Sequence, residues 1–461
     1  MSAVKTVAVV AFALAGVAAC AAEQSTPIDQ YAPQPYVNVE NADWTRNAVL
    51  YEMNTRHFTP EGTFAAAQSH LPRLAEMGVD IVWLMPIHPI GEVNRKGRLG
   101  SPYAVKDYRA INPDLGDEAD LRNFVDEVHR LGMHVIIDWV ANHSAWDNAL
   151  TETNRDWYSS TPEGELTPPP GTDWNDTVDF NYANAGLREY MTESLLYWVR
   201  EFDIDGYRAD VAGFAPLDFW VEARRQLDAV KPVFMLAEWE TRDLHQQAFD
   251  ATYAWAWKNA MQETARSGGA GAVRGYYYNQ RNTWPRGAYR MIYTDNHDQN
   301  AWDGVASEIY GDAYELAIAL SFVGEGLPLI YGGQEADVDR KLSFFDKDEI
   351  LWREGSRAEL FRRLIELKHG TKALWNGAHG AQMVEVPNDR QEAVFSFVRK
   401  TEDDAVFAIF NLSNEAQRVS LSTRRHIGDY RDVLTGEAAT FGGAEQVQLE
   451  PWGFRIYRSS N

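Results

Sequence analysis

Short apolar runs alternate with amphipathic segments along most of the chain. Eight runs have the length and composition of buried strands: 49–54, 79–85, 135–140, 206–211, 233–238, 252–255, 290–294 and 327–331. Helix-like stretches lie between them, for example 120–131, 187–202, 218–230 and 357–367. Strands that alternate with helices form parallel sheets, and eight such units over about 330 residues predict an α/β fold of the (β/α)₈ TIM-barrel type.

The alternation breaks at two places, and each break predicts an additional unit. Residues 141–182, after the third predicted strand, contain no clear helix and are rich in Pro, Thr, Asp and Trp. A loop of this length inside a compact domain usually has a function, so we predict a small excursion domain there. Period-two segments at 394–399, 406–412 and 454–457 replace the helices near the C-terminus. They predict an antiparallel β-sandwich domain over 375–461, after a barrel over 42–374.

The first twenty residues have the pattern of an export signal. Lys5 precedes the apolar run 6–19, which is too short to cross a bilayer as a mature helix. The run ends Val-Ala-Ala-Cys20, which resembles the bacterial lipobox, in which the cysteine becomes the acylated N-terminus. We predict lipid attachment at Cys20, with ordinary cleavage near the alanines as the alternative. Residues 21–41 are predicted to be a tether that holds the protein in the cell envelope, at the outer membrane or in the periplasm; without the lipid it would be secreted.

Charge excludes one class of partner. The formal net charge is -24, and a phosphate backbone needs a basic surface, so a nucleic-acid partner is not expected.

The single cysteine lies in the predicted lipobox, so the mature fold is expected to contain no disulfide.

Candidate chemistry lies at the ends of the predicted strands, where TIM barrels carry their active sites. Asp210, Glu238 and Asp298 lie at the carboxyl ends of the fourth, fifth and seventh predicted strands. One such acid is often a helix cap, but three on one rim are harder to explain that way. Glycosidic cleavage needs two carboxyl groups, one that protonates the leaving oxygen and one that attacks or activates water. Arg208 lies two residues before Asp210 on the same strand face, and we expect it to keep Asp210 ionised.

At these residues the sequence resembles the α-amylase superfamily, glycoside hydrolase family 13. The resemblance is carried by Asp-Trp-Val-Ala-Asn-His at 138–143, Gly-Tyr-Arg-Ala-Asp at 206–210, Glu238, and Asn-His-Asp at 296–298. Further segments at 78–86, 178–181 and 326–335 match in the family's order. The resemblance implies a retaining mechanism, with Asp210 as nucleophile, Glu238 as general acid/base and Asp298 as the residue that stabilises the transition state.

The same resemblance implies further roles. His143, Arg208 and His297 fall on substrate-binding positions, and Tyr103 on the position whose ring stacks beneath the distorted sugar. Structural ring hydrogen bonds are the alternative for the two histidines. No organic cofactor is implied, but Asn142 and Asp179 match positions of a structural calcium ion. Because calcium takes about six or more oxygen ligands, bracing of the excursion is the alternative for Asn142.

One departure from the family pattern concerns the acceptor side. Many α-amylases carry Lys-His shortly after the nucleophile, where the pair contacts an acceptor sugar, but this chain has Val-Ala-Gly-Phe at 211–214. Hydrolysis of α-1,4-glucosidic bonds in starch, maltodextrins or related α-glucans is the leading interpretation. A cyclomaltodextrinase or 4-α-glucanotransferase would use the same machinery. A non-catalytic glycan-binding lipoprotein is the alternative of another class, and the presence of both Asp210 and Glu238 argues against it.

Overall fold

The computed structural model describes residues 38–353, 355–421 and 423–460. The predicted export signal, Cys20 and most of the tether lie outside these residues and stay predictions. No helix in the described part of the chain is both long and apolar enough to span a membrane.

Ten strands precede the C-terminal domain, and eight of them close a parallel barrel. They are β1 (Leu50–Met53), β2 (Ile81–Leu84), β3 (His134–Val140), β4 (His143–Ala145), β5 (Thr177–Asp179), β6 (Gly206–Asp210), β7 (Phe234–Ala237), β8 (Ala251–Tyr253), β9 (Tyr289–Tyr293) and β10 (Leu327–Tyr331). The order around the barrel is β1-β10-β9-β8-β7-β6-β3-β2. Each of the eight predicted runs contributes one barrel strand, so the predicted fold class is confirmed.

Helices surround the barrel. They are α1 (Thr55–Phe58), α2 (Phe64–Gln68), α3 (Leu71–Met77), α4 (Glu118–Arg130), α5 (Leu150–Thr153), α6 (Ala185–Phe202), α7 (Leu217–Asp228), α8 (Trp255–Ser267), α9 (Gly271–Thr283), α10 (Ala306–Tyr310), α11 (Tyr314–Val323) and α12 (Ser356–His369). The start of α4 shows how the sequence fixes such a boundary. The Asp117 carboxylate accepts hydrogen bonds from the backbone N–H groups of Ala119 and Asp120. The Asp120 carboxylate accepts one from the backbone N–H of Asp117, which completes a capping box.

The excursion between β3 and α6 is held by a short antiparallel pair. β4 pairs with β5, and His143 lies opposite Asp179 in the register. The short helix α5 within the excursion is not apparent in the sequence pattern, because four residues are too few to show a helical period.

The C-terminal domain consists of eight further strands: β11 (Met383–Glu385), β12 (Val394–Lys400), β13 (Ala405–Asn411), β14 (Gln417–Ser420), β15 (Gly428–Asp432), β16 (Ala438–Phe441), β17 (Gln446–Leu449) and β18 (Phe454–Ser459). Six form an antiparallel sheet in the order β11-β12-β13-β18-β15-β16, and β14 pairs with β17 in a second sheet. Val419 and Leu449 of the second sheet belong to the same apolar cluster as Phe407 of the first. The two sheets therefore share one core.

Arg399 on β12 joins this domain to the barrel. Its buried guanidinium donates hydrogen bonds to the carbonyl oxygens of Gly324 (2.6 Å), Ala381 (2.9 Å) and Trp375 (3.1 Å). Arg399→Ala would leave buried carbonyl groups without donors, so we expect the free energy of unfolding to fall by about 3 kcal/mol or more. Chemical denaturation measures this, with Arg455→Ala, an exposed residue of β18, as the control. Equal stability of the two variants would contradict a joining role for Arg399.

Candidate active site

The three predicted acids lie together at the carboxyl ends of the barrel strands. Asp210 is the last residue of β6, Glu238 directly follows β7, and Asp298 lies beyond β9 at the start of a π-helical turn over Gln299–Asp303. Such turns are frequent at functional sites. The acids line a cavity of about 500 Å³, together with the predicted residues Tyr103, His143 and His297.

Arg208 lies beneath this cavity and binds the acids from below. Its Nη1 donates to Asp210 Oδ1 (3.0 Å) and to Asp138 Oδ1 (2.8 Å), and its Nη2 forms an ion pair with Glu238 Oε2 (3.0 Å). Although burial lowers the pKa of Arg208, the carboxylates of Asp138 and Glu238 raise it well above its ordinary value. The side chain is fully buried, and its Nε also donates to the Tyr253 hydroxyl at 3.3 Å. Arg208 therefore positions the acids, and its predicted contact with substrate stays a prediction.

Asp210 has one oxygen held and one oxygen free. Oδ1 accepts the hydrogen bond from Arg208, whereas Oδ2 has no hydrogen-bond partner among the described residues. Burial raises the pKa of Asp210 well above its ordinary value; Arg208 opposes this, and Glu238 and Asp138 add to it. The contact with Arg208 that the sequence predicts is therefore present. Burial opposes ionisation more strongly than the sequence indicates, so the anionic form of Asp210 depends on Arg208.

Glu238 is held by the backbone as well as by Arg208. Its Oε2 accepts a hydrogen bond from the N–H of Val211 at 2.8 Å. Val211 has φ +37°, a left-handed conformation that is strained for a β-branched residue and is typical of functional sites. Burial raises the pKa of Glu238; Arg208 lowers it and Asp298 raises it further. A raised pKa moves Glu238 toward the range in which a carboxyl can act as a general acid.

Tyr103 and His297 form one side of the cavity. The Tyr103 ring stacks on His297 with centroids 5.6 Å apart, and its hydroxyl donates to Asp138 Oδ2 at 3.1 Å. Nε2 of His297 lies 2.7 Å from the same hydroxyl, and Nδ1 contacts the Glu52 carboxylate. Burial lowers the pKa of His297, but Asp298 and Glu52 more than offset this and raise it to about 9. A protonated His297 therefore donates from both ring nitrogens.

Glu52 and Asp138 belong to the site, although they are not among its predicted residues. Both are fully buried, Glu52 on β1 and Asp138 on β3. A charged residue inside an apolar strand is rare unless it is paired, and that was the available signal. Trp174 of the excursion and Phe344 of the loop after β10 also line the cavity. No periodic pattern marks these two.

His143 lines the cavity in its neutral form, since burial lowers its pKa to about 3. Its Nδ1 accepts a hydrogen bond from the side-chain amide of Asn142 at 3.2 Å. The backbone carbonyl of Asn142 accepts one from the N–H of Phe180 at 3.0 Å. Asp179 accepts a hydrogen bond from the Ser159 hydroxyl at 2.6 Å. Asn142 thus braces the excursion.

The donors around Asn142 and Asp179 do not fit a calcium ion well. Asn142 bonds to His143 through its amide nitrogen, and one carboxylate oxygen of Asp179 accepts from Ser159, so the pair offers at most two further side-chain oxygens where calcium takes about six or more. In the described part of the chain, no three His, Cys, Asp or Glu side chains are grouped to hold a metal ion. Calcium stays a prediction.

Comparison with known proteins decides the family. The family model for the α-amylase catalytic domain matches residues 33–370. The chain belongs to the α-amylase family. A second model, for the maltogenic amylase C-terminal domain, matches residues 383–456. The predicted family is therefore confirmed.

Relatives within the family have several activities. The structure of a noncanonic maltogenic α-amylase from Thermotoga neapolitana aligns with a TM-score of 0.82 and 30% identity over 90% of this chain and 98% of that one. An α-amylase of Haloarcula japonica is 27% identical over 86% of this chain, which spans only 59% of the length of that protein. A cyclomaltodextrinase of a Bacillus species is 25% identical, with 87% of this chain and 78% of the relative covered.

Proposed function

We propose that this α-amylase family member is a retaining glycoside hydrolase that cleaves α-1,4-glucosidic bonds of starch, maltodextrins or related α-glucans. The observation that carries the proposal is the pairing of Asp210 and Glu238. One oxygen of Asp210 is held by Arg208 and the other has no partner among the described residues, and Glu238, after the neighbouring strand, is held by Arg208 and by the Val211 N–H. An attacking carboxylate beside a proton donor is what retaining hydrolysis requires.

In the first step, Asp210 Oδ2 attacks the anomeric carbon of the bound sugar. The bond from this carbon to the glycosidic oxygen breaks, and the proton of Glu238 moves to that oxygen, so the leaving chain departs as a neutral alcohol. Arg208 stabilises the carboxylate before attack, and Asp298 is placed to hydrogen-bond the sugar hydroxyls, with Nε2 of protonated His297 3.3 Å from its carboxylate. Tyr103 supplies the ring on which the sugar lies.

In the second step, Glu238 acts as a base. It takes a proton from water, whose oxygen attacks the anomeric carbon and displaces Asp210, so the product keeps the α-configuration. If a sugar hydroxyl takes the place of water, the same step forms a new glycosidic bond. The choice between hydrolysis and transfer therefore depends on the surface beside Glu238.

One observation favours transfer as a second candidate activity. Where many α-amylases carry the Lys-His pair, this chain has Val-Ala-Gly-Phe at 211–214. The side chain of Phe214 is 46% exposed, and its ring lies 5.5 Å from that of Trp239. Exposed aromatic rings offer an apolar face on which a sugar acceptor can stack. Cyclodextrin opening or 4-α-glucanotransfer by the same residues follows as the alternative, and it agrees with the similarity to a cyclomaltodextrinase.

Product analysis tests the proposal. Soluble starch, maltoheptaose, β-cyclodextrin and pullulan are incubated with the protein, and the products are followed over time by chromatography. Short maltooligosaccharides from starch and maltoheptaose are the expected result. Products longer than the input, or fast opening of cyclodextrin, would favour the transferase or cyclodextrinase alternative. Absence of all products would contradict an enzyme and favour a glycan-binding protein.

We also propose that the protein is exported and anchored by a lipid on Cys20, so that its substrate is an α-glucan outside the cytoplasm. The support is the charged and apolar N-terminal pattern that ends in Val-Ala-Ala-Cys20.

A further inference from the structure

Two loops meet above β1 and form a wall at one end of the cavity. The wall consists of residues 96–100, after β2, and residues 344–346, after β10. The backbone N–H groups of Leu99 and Gly100 donate to the carbonyl of Phe345 at 3.1 and 3.2 Å. Asp346 accepts hydrogen bonds from the backbone N–H and from Nε of Arg98, at 3.0 and 3.1 Å. Backbone bonds thus join the two loops directly.

Two further features make the wall a close-fitting contact. Nη1 of Arg56, on α1, donates to the carbonyls of both Gly100 (3.2 Å) and Phe344 (3.3 Å), so one guanidinium holds both loops. Gly97 has φ +66°, and a Cβ there would lie 2.6 Å from Cβ of Phe345. Only glycine permits both this conformation and this approach.

Lys96 extends the wall to the excursion. Its ammonium forms an ion pair with Asp176 at 3.0 Å, donates to the carbonyl of Asp173 at 3.0 Å, and lies 5.9 Å from the centroid of the Phe345 ring. All four residues line the cavity. A single side chain therefore connects three loops around this end of the site.

The order of the strands around the barrel indicates which end of a bound substrate faces the wall. In the closed order β1-β10-β9-β8-β7-β6-β3-β2, β7 lies directly across the barrel from β1. Glu238 follows β7 and protonates the oxygen that leaves, so the leaving part of the chain extends toward β7. The non-reducing part then extends toward β1 and meets the wall. On that opposite side, the exposed Phe214 after β6 and the neighbouring Trp239 after β7 offer the leaving chain an open surface.

We propose that the wall ends the cavity on the non-reducing side, so that the enzyme works from the non-reducing chain end and releases glucose or maltose. Internal bonds of a long chain would need sugar units where the wall stands. The inference rests on the proposed function, because it takes Glu238 as the proton donor that orients the substrate.

Blocking the non-reducing end tests the inference. The substrates are two 4-nitrophenyl α-maltoheptaosides, one with a free non-reducing end and one with that end closed by a 4,6-ethylidene group; cleavage is followed by mass spectrometry. We expect the blocked compound to react at least about 100-fold more slowly than the free one, because the added group meets the wall. Equal rates would overturn the inference and leave the proposed function intact. No cleavage of either compound would overturn both.

Opening the wall gives a second test. Lys96→Met removes the ammonium but keeps much of the side-chain volume, and we expect the rate ratio of blocked to free substrate to rise about 10-fold. Lys106→Met is the matched control, because Lys106 forms ion pairs of 3.1 Å with Glu92 and Asp147 but does not line the cavity. Equal ratios in the two variants, at equal melting temperatures, would overturn the assignment of the closure to Lys96.

Discussion

Replacement of Asp210 by asparagine is expected to lower kcat on maltoheptaose by about 10⁴-fold or more, as removal of a covalent nucleophile does. Asparagine has nearly the same shape but cannot attack the anomeric carbon as an anion. Arg208 would keep its contacts with Asp138 and Glu238, so the variant is expected to fold. Initial rates of reducing-sugar release, with protein concentrations matched, measure the loss.

Asp218→Asn is the control for this substitution. Asp218 lies on α7 with its side chain 72% exposed, and it pairs with Arg188 away from the cavity. This variant should keep wild-type kcat. Circular dichroism and melting temperature should agree among wild type and both variants. Activity of Asp210→Asn within a factor of about ten of wild type would exclude Asp210 as the nucleophile.

Replacement of Glu238 by glutamine is expected to have an effect that depends on the leaving group. On maltoheptaose, kcat/KM should fall by about 10³- to 10⁴-fold, since no proton reaches the leaving oxygen. On α-maltosyl fluoride, whose leaving group needs no proton, the loss in the first step should be about 10-fold or smaller. An equal loss on both substrates would contradict the role of Glu238 as general acid. Glu222→Gln, on the exposed face of α7, is the control.

The pH profile supplies an independent readout of the same residue. A general acid must carry its proton, so activity on maltoheptaose should fall as the pH rises through the pKa of Glu238. Burial raises that pKa, which keeps the wild-type enzyme active to higher pH than an exposed glutamate would allow. Glutamine does not titrate, so the decline through the pKa of Glu238 should be absent when Glu238→Gln acts on α-maltosyl fluoride, which leaves only the loss of the His297 proton at about pH 9.

Much of the fold follows from local sequence patterns. The run 135–140 corresponds to β3 (His134–Val140), and the run 327–331 coincides with β10, because parallel strands buried on both faces are continuous apolar segments. The short strands β4 and β5 were not predicted. Three residues are too few for a period, and their pairing depends on contacts across the excursion.

The active site also has parts that the sequence predicts and parts that it does not. Asp210, Glu238 and Asp298 were predictable because each lies at or just after the end of an apolar strand, and strand ends meet at one rim. Glu52 and the wall were not, because their partners are distant in the chain: Glu52 contacts His297, and Arg98 contacts Asp346. The competition at Asp210 between burial and Arg208 is also a product of packing. The sequence identifies the Asp210 carboxyl and the Arg208 guanidinium, but it does not show how deeply each one is buried.

The most direct test of the account is the configuration of the first products. Proton NMR spectra are recorded within minutes of adding enzyme to maltoheptaose, before mutarotation equilibrates the new reducing ends. A two-step displacement through Asp210 predicts an initial excess of the α-anomer. An initial excess of the β-anomer would show inversion by a single displacement, and it would contradict the assignment of Asp210 as a nucleophile.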